Sequence, residues 1–315
     1  MKHKIRTIII LTSIVTVVLH ILNRIQYSFT TVKNLLACSS NNYYEWRFGK
    51  VRYTKKGSGS PLLLIHDLTV GSSSYEFNKL YDSLAEEHEV FAIDLLGYGL
   101  SDKPNMTYTN YVYVQLITDF IKNVIGRKTD VIATGDAAPA IIMACHNDPE
   151  IINKMLFISP QSLYKLNQIP SKQTKALKLL IETPILGTFV YNILTNRNFI
   201  EKDFREVNFS NPLKIKEEDI LTYLEASHIP DYNSKYVFAS YVGRYTNTNI
   251  IHALKEINHG IYIISGEDKE DIGTIIDNYA YYNTAIESVL IPNTKHLPHL
   301  EMPEEVLKQI NIFLS

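Results

Sequence analysis

Three stretches of the sequence predict an α/β protein, in which short buried strands are followed by helices. The first, TDVIATGDAAPAIIMACH from Thr129 to His146, reads as a β-branched strand to Thr134, a turn of small residues, and an apolar helix from Ala140 to Cys145. A strand-to-helix reversal this tight tolerates only small neighbours and lifts one central side chain out of the sheet. The second stretch is the apolar run VFAI at 90–93, which ends in DLLGYGLSDKP, where the glycines permit a tight turn and Pro104 stops it. The third is the apolar segment Thr7 to Leu22, preceded by Lys2, Lys4 and Arg6, which sets an N-terminal helix apart from the rest.

Composition bounds the class. Of 315 residues, 45% are apolar and 20% charged, which excludes a disordered or fibrous chain and permits a sizeable core. The formal charge is −2 and no block of like charge occurs, so nucleic acid is not an expected partner. The two cysteines, Cys38 and Cys145, have neither metal-ligand spacing nor a CxxC motif, and Cys145 reads as a small buried hydrophobe. No metal and no cofactor are expected.

Taken in order, residues 1–24 are read as a membrane anchor. A span of ~16 residues at 1.5 Å rise covers roughly 24 Å, workable with snorkelling basic ends. A cleavable secretory signal is the rival reading, although no small-x-small site follows the apolar run closely. Leu35-Leu36-Ala37-Cys38 has the look of a bacterial lipoprotein box but lies well beyond that run. The basic residues before the span outnumber those just after it, which places the domain on the extracytoplasmic face. Residues 25–42 read as a linker. Trp46 to Thr54 and Leu62 to Ile65 read as the strands of an opening hairpin, with a turn at Gly57 to Ser60. Ser72 to Glu87 and Tyr111 to Ile125 read as helices, and Met155 to Ser159 as a strand ending at Pro160. From Gln161 to Ile257 the pattern turns helical and irregular, and Gly260 to Gly266 and Val289 to Pro292 return to strands. Glu304 to Leu314 closes as an amphipathic helix with Val306, Leu307, Ile310 and Phe313 inward.

The turn at 135–139, the run Asp94 to Pro104 and the ending His296-Leu-Pro-His-Leu-Glu301-Met-Pro303 together resemble the α/β-hydrolase family, over about residues 43–315. The middle run is close to that family's D-x-x-G-x-G-x-S-D-x-P pattern and the ending to its H-x-x-x-x-E-x-P pattern. The resemblance implies a mostly parallel sheet flanked by helices, with core parts at 43–160 and 258–315 and a helical lid at 161–257. It implies a cofactor-free hydrolase of small apolar esters or related substrates. It also implies a serine nucleophile in G-x-S-x-G, a histidine base, an orienting carboxylate and two backbone donors for the oxyanion.

The serine position falls on Ala137, which has no nucleophile. With that register the donors are the backbone of Leu68, after the His66-Asp67 turn, and of Ala138. His296 maps to the base, since imidazole titrates where proton transfer at physiological pH needs it. The acid position, third after Gly266, holds Lys269, so Asp268 or Glu270 is left to orient the histidine. Asp67 places an anionic side chain where the family has glycine, which opposes oxyanion chemistry. Three readings follow. In the first, serine chemistry is lost and the protein binds an apolar ligand or partner beneath the lid. In the second, Asp136 is the nucleophile, as in the haloalkane dehalogenase and epoxide hydrolase branches, with His296 activating water. In the third, Ser72, Ser73 or Ser74 has taken over.

Overall fold

In a computed structural model, which describes residues 2–36, 42–229 and 233–315, the sheet runs uninterrupted through the molecule. Its strands are β1 (Asn42–Trp46), β2 (Gly49–Lys56), β3 (Ser60–Ile65), β4 (His88–Ile93), β5 (Thr129–Thr134), β6 (Ile152–Ile158), β7 (Gly260–Gly266) and β8 (Glu287–Ile291). They are ordered β1-β2-β4-β3-β5-β6-β7-β8, and only the pairings of β2 with β1 and with β4 are antiparallel. The helices are α1 (Lys2–Thr31), α2 (Tyr81–Leu84), α3 (Asn110–Phe120), α4 (Ala138–Asn147), α5 (Leu163–Leu166), α6 (Lys172–Glu182), α7 (Leu186–Leu194) and α8 (Arg197–Asp203). They continue as α9 (Glu217–His228), α10 (Ser234–Val242), α11 (Ile251–Glu256), α12 (Ile272–Tyr282), α13 (Pro298–Glu301) and α14 (Pro303–Leu314).

The central strands are continuous apolar runs because both faces of the sheet are covered. Along β3, Leu63 and Ile65 join the core under α3, α4 and α12, while Leu62 and Leu64 point to the other face, under Phe77, Leu84, Val306 and Ile310. Between β6 and β7 the chain leaves the sheet and builds a helical lid, α5 to α11.

Three expectations are corrected. The two strands expected to form an opening hairpin are not neighbours, because β4 lies between β2 and β3; the hairpin is instead β1 with β2. The helix expected at 72–87 is two short turns, Ser74–Phe77 and α2, which bury Phe77, Leu80 and Leu84 on the same face of the sheet as Val306 and Ile310. Helix α1 does not stop at residue 24 but continues through the expected linker to Thr31, because its second half packs on α7 and α9. Asn23, 3% exposed, donates from Nδ2 to the Ile185 carbonyl (3.1 Å) and accepts from Asn192 (2.9 Å). Glu225 accepts from the backbone N–H groups of Leu35 and Leu36. His3–Thr31 is the one continuous helix among the described residues that is long and apolar enough to cross a membrane. The lipoprotein-like box extends into residues outside those described.

The turn after β4 shows why the sequence spends so many specific residues on it. Asp94, fully buried, accepts from the backbone N–H of Ser74 (2.8 Å) and of Leu100 (2.9 Å) and pairs with Arg52 (3.4 Å). Gly99 has φ +48, and a Cβ there would lie 2.4 Å from the Asp94 carboxyl carbon. Burial alone would raise the Asp94 pKa, but Arg52 and the backbone donors outweigh it and hold the group ionised. Asp94→Ala leaves Arg52 and two backbone donors without their buried anion, and is expected to cost about 3–5 kcal/mol of stability, read from urea unfolding of the detergent-solubilised chain. A loss below about 1 kcal/mol would contradict the hub role.

Candidate active site

The site forms where the chain reverses direction across the sheet. From β3 it passes to β4 on one side, then returns to β5 on the other, so the carboxyl ends of β3 and β5 flank the switch point at which open α/β sheets bind ligands. In the parallel register Ile65 pairs with Ala133. Asp67 and Gly135 each follow two residues later.

Gly135 is the residue lifted out of the strand-to-helix turn. Its φ is +54, whereas Ala137 is helical at φ −79 and is 1% exposed. The small residues two positions either side are Ala133 and Ala137. The raised position of the turn is therefore Gly135 and not Ala137, two residues before the one the resemblance implied. The backbone donor that follows it is accordingly Asp136, not Ala138, whose N–H is already bonded to the Gly135 carbonyl.

The space a nucleophile would occupy is filled from the neighbouring strand. A Cβ on Gly135 would lie 2.3 Å from the carboxyl carbon of Asp67. Asp67 Oδ1 accepts from both backbone donors, Leu68 N (2.6 Å) and Asp136 N (2.7 Å), and Asp67 Oδ2 pairs with His296 Nε2 at 2.9 Å. The Leu68 N–H and the His296 imidazole thus meet at this point, but what they hold is the protein's own carboxylate. Burial pushes the Asp67 pKa up; the His296 hydrogen bond and charge and the two N–H groups pull it further down, below the usual carboxylate range.

The loop carrying Asp67 is fastened on every side. His66 Nε2 accepts from Leu95 N (3.0 Å), which fixes the proton on Nδ1, and that nitrogen donates to the Asp67 carbonyl (2.6 Å). Tyr98 donates to the Leu68 carbonyl (2.7 Å). Asp67 N donates to Glu76 Oε2 (3.0 Å), and burial, reinforced by the charge of Asp67, pushes the Glu76 pKa up to about 8. Glu76 is therefore held mostly neutral below that pH. None of His66, Glu76, Tyr98 or Gly135 was singled out in the sequence.

The Asp136 side chain lies beside this arrangement and not within it. Its Oδ2 accepts from Tyr241 of the lid (2.8 Å) and lies 3.8 Å from Lys165 Nζ; burial raises its pKa against the pull of Lys165. Among the described residues no carboxylate reaches His296 Nδ1. Asp268 accepts from the Ser210 hydroxyl and Glu270 is exposed, so neither orients the histidine. Lys269 turns inward instead, donating to the Ser159 (2.7 Å) and Pro160 (3.0 Å) carbonyls at the end of β6, and burial lowers its pKa to about 8. The three serines are committed elsewhere. Ser72 bonds the Thr69 hydroxyl, Ser73 accepts from Tyr75 N, and Ser74 accepts from Arg52.

A cavity of about 480 Å³ opens beside Asp67 and His296, and Asp136, Lys165, Asp203 and Lys269 line it. It carries charges of both signs, unlike the apolar ligand site expected beneath the lid. Among the described residues one group has metal-ligand spacing, His146 with His252 and Glu256, at the surface between α4 and α11.

The sequence profile of the alpha/beta hydrolase family matches residues 62–309. An uncharacterized protein of Mycobacterium tuberculosis is 27% identical over 109 residues, 35% of this chain and 31% of the relative, so the match spans under a third of that protein's length. The 2-(acetamidomethylene)succinate hydrolase of Mesorhizobium japonicum is 21% identical over 263 residues, covering 83% of this chain and 90% of its own. Among solved structures, an epoxide hydrolase superposes with a TM-score of 0.71 at 19% identity, over 87% of this chain and 98% of its own.

Because Glu76 binds its proton in the folded state up to about pH 8 but releases it near pH 4–5 when unfolded, its contribution to stability is full below pH 4–5 and is lost as pH rises towards 8. Glu76→Gln removes the titration. The urea midpoint of the variant is expected to fall less than that of the wild type between pH 5 and pH 8, and parallel profiles would show that Glu76 does not carry the proton.

Proposed function

The chain belongs to the alpha/beta hydrolase family, and from that premise we propose that it is a membrane-anchored member whose serine chemistry is closed and which binds a small polar ligand beside Asp67 and His296. The observation that carries this reading is the Asp67 carboxylate seated on both backbone donors of the elbow, over a glycine that has no side chain to attack with. A negative charge developing on a substrate oxygen would have to displace an anion already bound by those donors. We assign a polar ligand in place of the apolar one that the resemblance implied. Lys165, 3.8 Å from Asp136, together with Lys269 and Asp203 offers charges of both signs at a partly enclosed surface. Helix α1 supplies the anchor in this reading, with the globular part outside the cytoplasm.

A fluorophosphonate probe is expected to leave the wild-type protein unlabelled. The double variant Asp67→Gly, Gly135→Ser returns a hydroxyl to the elbow and frees the two donors beneath it, and is expected to become labelled at residue 135. Labelling of the wild type at any serine would overturn the reading.

A second reading is favoured by one feature of the same geometry. Asp67 Oδ1 rests on the donors while Oδ2 faces His296 beside the cavity, which is the disposition a carboxylate nucleophile requires. Oδ2 would attack an electrophilic carbon and expel its leaving group. Water deprotonated by His296 would then add to the ester carbon, with the oxyanion on Oδ1, and release the alcohol while restoring the carboxylate. This reading replaces Asp136 by Asp67 as the candidate nucleophile. A single turnover of an epoxide or haloalkane in ¹⁸O water is expected to place the heavy oxygen in the peptide containing Asp67. Absence of turnover in both the wild type and Asp67→Asn leaves binding as the function.

A further inference from the structure

We infer that the tip of the lid, where α6 meets α7, sits in the boundary layer of the same bilayer that α1 enters; this rests on reading α1 as an anchor. The tip is a tight γ-turn. Leu186 N bonds the Pro184 carbonyl, and Ile185 adopts φ +56, a conformation that a β-branched residue avoids unless its surroundings impose it. What holds it is the anchor helix: Asn23 donates to the Ile185 carbonyl and bonds Asn192 one turn and more along α7.

This junction fixes the level of the lid along α1. Residues beyond Asn23 towards the N-terminus are the apolar, unburied part of the helix, so the tip lies where that part begins. On the two helices that meet at the tip the lid exposes Leu177, Leu179, Leu180, Leu186 and Ile193, with Leu179 65% exposed. Water-facing leucines on consecutive lid helices have no partner within the described fold, and a contiguous exposed apolar region marks an interaction surface. Lys172 and Lys175, exposed on the first turn of α6, are placed to reach lipid phosphates. A groove of about 440 Å³ between α1 and the lid, lined by Gln26, Phe29, Arg197 and Leu221 among others, opens beside this junction. The occupant that fits apolar side chains level with the start of a spanning helix is the boundary between headgroups and acyl chains, into which interfacial helices sink by about 5–10 Å.

The test uses the full chain in phosphatidylcholine–phosphatidylglycerol vesicles, in a Cys38→Ser background where the remaining thiol, Cys145, is buried. An environment-sensitive fluorophore is placed at Leu179→Cys, with Val15→Cys as the marker of the span and Lys308→Cys as a surface control. Nitroxide on the lipid acyl chains is expected to quench the label at 179 several-fold more than that at 308, and the label at 15 most. Quenching at 15 without quenching at 179 overturns the inference while leaving the anchor intact. No quenching at 15 removes the anchor and the inference with it. A blue-shifted label at 179 that acyl-chain nitroxide does not quench would mean that a second copy covers the tip, and overturns the inference as well.

Discussion

A single carboxylate organises the centre of this protein. Asp67 is 1% exposed, and an ion taken so far from water costs several kcal/mol unless donors replace its hydration. Here the replacement consists of two backbone N–H groups and one imidazole, all at 2.6–2.9 Å. Each has a cost elsewhere. The space the carboxylate fills forbids any side chain at Gly135; burial, reinforced by its charge, keeps Glu76 protonated behind it; and among the described residues His296 has no second carboxylate on the opposite ring nitrogen. The unusual residues of the site are one arrangement seen from several positions.

Sheet register explains how a side chain can stand in for another across a strand. β3 and β5 are adjacent and parallel, and Ile65 and Ala133 are partners, so the second residue after each strand arrives at the same place. A carboxylate reaching over from Asp67 and a side chain rising from residue 135 are alternatives for one volume. A similar exchange of charge occurs at the end of β7. Where the resemblance implies an acid, the Lys269 ammonium turns in and caps the Ser159 and Pro160 carbonyls just beyond β6, and nearby Asp67 and Asp136 favour its charged form against burial.

The fold was legible because it is written in local pattern: buried strands, the Asp94 turn, and the closing His296 to Pro303 run. The elbow was misplaced by two residues because GDA can be read as the start of G-x-S-x-G, and only backbone geometry tells a left-handed Gly135 from a helical Ala137. The false hairpin and the continuation of α1 to Thr31 were not legible, since strand order and the packing of α1 on α7 and α9 are tertiary facts that no local window contains. Glu76 was hidden for the same reason: in sequence it is one acid within a polar turn, and only the fold places it under Asp67.

The lid is tied to the His296 loop as firmly as to helix α1. His296 N and Leu297 N donate to the carbonyls of Val207 and Asn208, and Lys295 Nζ donates to that of Glu206. Glu301, the glutamate of the closing motif, accepts from the backbone of Ser210 and Asn211 and of Lys295, so its role is to latch the lid to the loop rather than to move protons. Helices α7 and α8 lead from the junction with α1 directly into this latch. The imidazole facing Asp67 is thus positioned from the sheet side by Thr294, whose carbonyl accepts from Asp268 N, and from the lid side by a segment braced against the N-terminal helix. A displacement of the lid relative to α1 would have to break buried hydrogen bonds at Asn23 or carry the His296 loop with it, which makes the N-terminal helix part of the site's architecture.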